Sequence, residues 1–386
     1  MIRELDMPGR VIVGADARTK AGQEAKGLGW SRVLIVSDPF GERAGRVQEM
    51  EGFLREEDVE AVVYTGVTGE PDTGMVEPGL EQLKDGECDG IVALGGGSVI
   101  DAAKTIAVLA RNRGTVQDLM GTDNVRRPGV GLIALPTTAG TGSEATKVVV
   151  IADAEAQVKM TGRSKYYVPD VAILDHKLTM SMPKSLTGET GVDALTHAIE
   201  AFVSRQAWET TDRFALSAMK LIWDSIEKAC EDGANEDARR DMLMGSFYAG
   251  IAFSNASVGL VHSMSEPLGA CFHVPHGLSN AMLLPAVTRF SAAGVPGRYA
   301  EIARGMEPAD DSSSDVECCE ALVEGLFELN RRLEISTPKS VGIGEDAYCG
   351  QIEKMTGDAL AAGSTANNPV MPIAEDIKKM YRDVYE

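Results

Sequence analysis

Through the first half of the sequence, apolar residues come in short, nearly continuous runs, and most of these runs are followed by a stretch with helical spacing. Residues 10 to 14 (Arg-Val-Ile-Val-Gly) and 32 to 38 (Arg-Val-Leu-Ile-Val-Ser-Asp) read as strands, the second apolar enough to be buried on both faces of a parallel sheet. A helix is predicted over 42 to 57, a strand at 61 to 64, a helical pattern across 75 to 84, and further strands at 90 to 94 and 131 to 135. Strands alternating with helices imply a doubly wound, Rossmann-like α/β sheet.

After about residue 180 the strand patterns stop. Helical patterns take over at 191 to 204, 209 to 230, 237 to 251, 258 to 268, 316 to 333 and 374 to 385. The run Met180-Ser-Met-Pro183 marks the expected boundary, and a chain of 386 residues is longer than one core usually supports. The expected organisation is α/β plus all-α: a dinucleotide-binding domain at 1–181, then a helical metal-binding and substrate domain at 182–386. Pro308 to Asp315 reads as a polar, acidic loop, and no internal repeat or low-complexity segment is found.

Two of the strands run into glycine-rich turns. The first turn, Gly95-Gly96-Gly97-Ser98-Val99-Ile100-Asp101, opens a helix, so its backbone can approach a ligand closely and its N–H groups face a pyrophosphate. The second, Pro136-Thr137-Thr138-Ala139-Gly140-Thr141-Gly142-Ser143-Glu144, follows the strand at 131 to 135 and adds hydroxyls. Either loop alone is equally a packing solution or a capped polar turn; together they suit a dinucleotide. Asp38, at the end of its strand, has the position of a carboxylate that accepts from a ribose 2′-hydroxyl and repels a 2′-phosphate, which favours NAD over NADP; it also suits a plain turn before Pro39.

Charge narrows the partners. A net charge of -21 repels a phosphate backbone and anionic membrane surfaces, so neither nucleic acid nor membrane is expected to bind. No apolar stretch approaches the length of about 18 residues that a membrane span needs, and the first eight residues carry mixed charge with no apolar run. A cytoplasmic location is expected, with the six scattered cysteines as free thiols.

The chain has five histidines, and three of them fall between Gly259 and Gly277. His262 and Glu266 stand at i and i+4, on one helical face; the helix should stop soon after Pro267 to Gly269, and His276 follows on an irregular Val-Pro-His-Gly run. Upstream, Asp193 and His197 repeat the i, i+4 spacing. Asp193, His197, His262 and His276 offer one carboxylate oxygen and three imidazole nitrogens, a set that suits Fe(II) or Zn(II) and is too poor in oxygen for calcium or magnesium.

Five motifs, in order along nearly the whole chain, resemble those of the iron-containing (group III) alcohol dehydrogenases: the 95–104 and 136–144 loops, Gly191-Val-Asp193-Ala-Leu-Thr-His197-Ala-Ile-Glu-Ala201, Ala252-Phe-Ser-Asn255, and the stretch from His262 to Gly277. The resemblance implies the two-domain architecture, shared with dehydroquinate synthase, and the same four metal ligands with iron preferred to zinc. It implies that Asp38, Gly96, Gly97, Ser98, Thr137, Thr138, Thr141 and Lys159 line the cofactor site, with Asp101 of the first motif counted among them. The implied reaction is hydride transfer between NAD(H) and a small alcohol, aldehyde or ketone, the metal polarising the substrate oxygen, in a homodimer or higher homo-oligomer.

Two positions depart from the family pattern. Val99 replaces a proline, a change that a helix start tolerates. Glu266 replaces a second histidine near substrate and nicotinamide, as a proton relay, a substrate contact or an added metal ligand, with the first two favoured. His273 is a second candidate relay, or else a polar residue filling the cleft. The rivals to this function are a dehydroquinate synthase-like lyase, which needs basic residues that the 259 to 279 stretch lacks, and a catalytically idle binding or filament scaffold.

Overall fold

Alternation along the strands sets the architecture of the first unit, Met1–Ser181. Its strands are β1 (Arg10–Val13), β2 (Arg32–Val36), β3 (Glu60–Tyr64), β4 (Gly90–Gly95), β5 (Gly121–Thr122), β6 (Gly131–Pro136), β7 (Val148–Asp153), β8 (Val158–Arg163) and β9 (Val171–Leu174). Six of them form an all-parallel sheet in the order β1-β9-β6-β4-β2-β3. Leu34, Val36, Ile91, Ala93, Leu132 and Ala134 point to one face, where they meet Val76, Leu83, Ile100 and Ile106 of the helices Thr73–Asp85 and Gly97–Leu109. The intervening Val33, Ile35, Val92, Leu94, Ile133 and Leu135 point to the other, against Ala21, Ala25, Val47, Met50 and Leu54. Both faces are covered, so these strands must be apolar at every position.

The computed structural model describes residues 2–156, 158–306 and 313–386, so most of the loop predicted at 308 to 315 lies outside the described residues. The helix expected over 42 to 57 is two helices, Pro39–Arg43 and Arg46–Glu56, separated where Gly45 takes a φ of 75°. A small second sheet, β5-β8-β7, was not anticipated from the sequence pattern, and Lys159 stands on its β8.

The second unit, Met182–Glu386, is helical throughout its described residues. Three of its helices concern the site: Lys184–Val203, Leu260–Phe272 and His276–Ala292. One expectation holds here and one is corrected. The Leu260–Phe272 helix runs through Pro267 and stops three residues after Gly269, near its expected end; the Tyr381 hydroxyl donates to Met264 O at 2.7 Å, supplying a partner in the turn that proline disturbs. The chain after it is irregular only over 273 to 275, not over the whole Val-Pro-His-Gly run. His273, with a φ of 56°, ends one helix, Pro275 caps the next, and His276 is that helix's first residue. The helices Pro296–Met306 and Glu345–Ala361 were likewise not expected. No helix among the described residues is long and apolar enough to cross a membrane.

Candidate metal centre

Each of the three helices contributes to one cluster. Asp193 and His197 sit one turn apart on Lys184–Val203, His262 is the third residue of Leu260–Phe272, and His276 opens His276–Ala292. One potential ligand atom from each of the four lies within 4.8 Å of the others. Asp193 Oδ1 is 3.9 Å from Nε2 of both His262 and His276, within reach of a single ion at bonds of about 2 Å. Gly277 lets the third helix approach the first, since a Cβ there would meet Glu189 O at 3.1 Å.

Asp193, His197 and His262 are buried, whereas His276 is 41% exposed at its side chain, so the cluster opens on the His276 side. The His197 ring is stacked on Phe253 at 4.3 Å and lies 4.6 Å from the His262 ring. Packing against these two rings restricts how His197 can turn. Nδ2 of Asn280 lies 2.6 Å from Asp193 Oδ1 and 3.1 Å from Nε2 of both His262 and His276. The amide N–H groups stand in for a cation: a carboxylate oxygen and two imidazole lone pairs converge on the same point, and that arrangement of acceptors calls for positive charge. The donor set therefore fits a borderline divalent metal.

Burial works against the charge on Asp193, but His197, His276 and His262, with the Asn280 hydrogen bond, outweigh it and hold its pKa below the ordinary carboxylate range. Burial likewise presses the His262 pKa down, and Glu200, Asp193 and Glu266 outweigh it, leaving the imidazole easier to protonate than usual. Glu266 is exposed, one turn beyond His262, close enough for its charge to be felt there. His273 is exposed and lies outside the four-residue cluster.

Three residues at the cluster were missed in the sequence: Phe253, Asn280 and Glu200. Asn280 follows His276 by one turn of a helix that the sequence pattern does not announce, and Glu200 continues the Asp193, His197 face at i+7, so spacing places Glu200 on that face without naming its partner. Glu200 is buried, with Oε2 at 2.6 Å from His262 Nδ1 and Oε1 accepting from Val261 N at 2.6 Å.

In the α/β unit the two glycine loops lie side by side, because Gly95 of β4 pairs with Pro136 of β6 and Thr137 N donates to Gly95 O. A Cβ on Gly97 would strike Thr141 at 2.7 Å, and one on Gly96 would press Thr138 at 3.3 Å. Gly96 caps the Gly97–Leu109 helix and Ser98 lies in its first turn. Asp38 caps the short helix after β2, accepting from Gly41 N at 2.7 Å. Asp101 accepts from the Ser143 hydroxyl and, at 2.9 Å, from Val150 N, so it ties the second loop to the helix. Lys159 is ion-paired with Glu70 at 2.5 Å.

Comparison with known proteins agrees over both units. The family model described as iron-containing alcohol dehydrogenase matches residues 8–176, and that of the Fe-containing alcohol dehydrogenase family, C-terminal, matches 187–385. NAD-dependent methanol dehydrogenase of Bacillus methanolicus is 34% identical over 378 residues, covering 98% of each chain. Among solved structures, a 1,3-propanediol oxidoreductase superposes with a TM-score of 0.96 at 32% identity over 100% of both chains. Sulfoacetaldehyde reductase from Bifidobacterium kashiwanohense, solved with NAD+, gives 0.90 at 28% identity over 100% of this chain and 99% of that one.

Proposed function

The chain belongs to the iron-containing alcohol dehydrogenases, a family of oxidoreductases acting on alcohols and aldehydes, and from that premise we propose that it moves a hydride between NAD(H) and a small alcohol or carbonyl compound. The observation that carries the reading is the convergence of Asp193, His197, His262 and His276. These four would hold Fe(II), or Zn(II) in its place, and the ion would supply Lewis acidity toward a substrate oxygen.

The remaining work falls to the protein. Gly96, Gly97 and Ser98, at the start of a helix, receive the pyrophosphate of NAD, with Thr137, Thr138 and Thr141 supplying hydroxyls beside it. Asp101 holds that second loop in place, and Asp38 accepts from the adenosine ribose and disfavours NADP. Lys159 is included among the cofactor residues on family resemblance. Glu266, exposed one turn beyond His262, passes the substrate proton to solvent, and His273 is the reserve candidate for that role. A carboxylate at position 266 disfavours anionic substrates, which points to neutral alcohols.

The experiment is the near-ultraviolet absorbance of NADH mixed with anaerobically iron-loaded protein and a panel of small aldehydes, ketones and semialdehydes. Oxidation that disappears on chelation and returns with metal supports the reading. Confirmed NADH and metal binding with no turnover of any carbonyl would overturn it in favour of an idle scaffold.

A further inference from the structure

We propose that Glu200 is the positioning residue of the metal centre, fixing the His262 imidazole as the Nδ1–H tautomer so that Nε2 is the nitrogen offered to the metal. The inference rests on the reading of the four-residue cluster as a metal site.

Oε2 of Glu200 is 2.6 Å from His262 Nδ1. A carboxylate has acceptors only, so the ring nitrogen facing it carries the proton and the lone pair is left on Nε2. That atom faces the cluster, 3.9 Å from Asp193 Oδ1. The carboxylate is itself held at its other end. Oε1 accepts from the backbone N–H of Val261 at 2.6 Å, one of the N–H groups that the first turn of a helix leaves without an internal partner, and the cap residue, Gly259, has no side chain to serve it. With both oxygens engaged and 3% of the residue exposed, Glu200 can neither rotate nor exchange its contacts for water. A Cβ on Gly259 would approach Oε1 to 3.1 Å, so the glycine leaves the room in which the carboxylate sits.

Asp193, His197 and Glu200 occupy one face of one helix. A single helix thus brings two ligands together with the group that orients a third ligand from a separate helix. Carboxylates in this relation to a ligating histidine typically contribute 10–100-fold to metal affinity.

The test uses the full chain stripped of metal and titrated with Co(II), its affinity set by chelator competition and its ligand field read from the visible spectrum. Glu200→Gln keeps the shape but puts a donor at one end. Facing His262, that amide forces the ring proton onto Nε2; facing Val261, it sets two donors against each other. We expect Co(II) affinity to fall about 10–100-fold with a changed visible spectrum. Gly259→Ala, which keeps the carboxylate but crowds it, together with Asn368 Oδ1 at 3.2 Å, should lie between wild type and Glu200→Gln and carries the test if Glu200→Gln does not fold. Affinity and spectrum equal to wild type, with only the thermal midpoint lowered, would reduce Glu200 to a helix cap and overturn the proposal. If wild type takes up no Co(II), or takes it up as well after His197→Ala, the metal reading itself fails, and that failure is visible before either variant is compared.

Discussion

His262 Nδ1 stands 2.6 Å from Oε2 of Glu200, and both residues are buried. Removing the imidazole therefore leaves one oxygen of a buried carboxylate without its partner. His262→Ala should destabilise the metal-free protein by about 3 kcal/mol, the scale of breaking one side of a buried pair. His276→Ala, at a side chain 41% exposed, should cost about 1 kcal/mol or less. Urea unfolding of both variants in chelator checks the contrast, and equal losses would count against it.

Asp38 serves as a helix cap and, in the proposed function, as the discriminator against a 2′-phosphate. The two roles separate in Asp38→Asn, because asparagine caps as well as aspartate but carries no charge. Stability should hold within about 0.5 kcal/mol, while the preference for NADH over NADPH falls at least roughly tenfold. Unfolding curves and steady-state rates with the two cofactors decide it.

Much of this organisation was legible in the sequence. Strand-loop-helix alternation located the sheet and its glycine turns, and the i, i+4 spacing of Asp193 and His197 pointed to half of the four-residue cluster, since both are local patterns. What could not be read depended on distant partners. Nothing near Pro267 announces that Tyr381, 117 residues from Met264, supplies a donor to the turn around that proline. The helix starting at His276 was hidden by Pro275, which reads as a turn and in fact sets the extended cap before the first helical residue. Glu200 looked like an ordinary glutamate within a helix; its partner His262 is 62 residues away.

A second buried carboxyl belongs to the α/β unit. Burial pushes the Glu144 pKa from 4.5 up to about 7, against the pull of a backbone hydrogen bond and of Lys104, and its Oε1 has no hydrogen-bond partner among the described residues. Between those two values the folded chain keeps a proton that the unfolded chain releases. This contribution to stability is therefore intact below 4.5 and is lost as the pH rises to about 7. Lys104, brought down to about 8 by the same burial, titrates above that window. Glu144→Gln should abolish the decline, gaining on the order of 2 kcal/mol over wild type between pH values of about 5 and about 7. Paired urea midpoints measure the difference, in which titrations elsewhere cancel; parallel pH profiles would contradict it.

In the proposed function Glu266 handles the substrate proton, and it is not one of the four clustered residues. Glu266→Gln should lower kcat by roughly a hundredfold, with KM little changed and the metal content equal to wild type. A rise in KM at constant kcat would instead make Glu266 a substrate contact.

The most direct test of the central claim is isotopic. The metal-loaded protein is given NADH deuterated at the transferred position of the nicotinamide together with a reactive small aldehyde, and the alcohol product is analysed by mass spectrometry. The account predicts one deuterium on the carbinol carbon of every product molecule, with product formation abolished by chelation and in His197→Ala. Product that forms without deuterium, or forms equally well without metal, would contradict it.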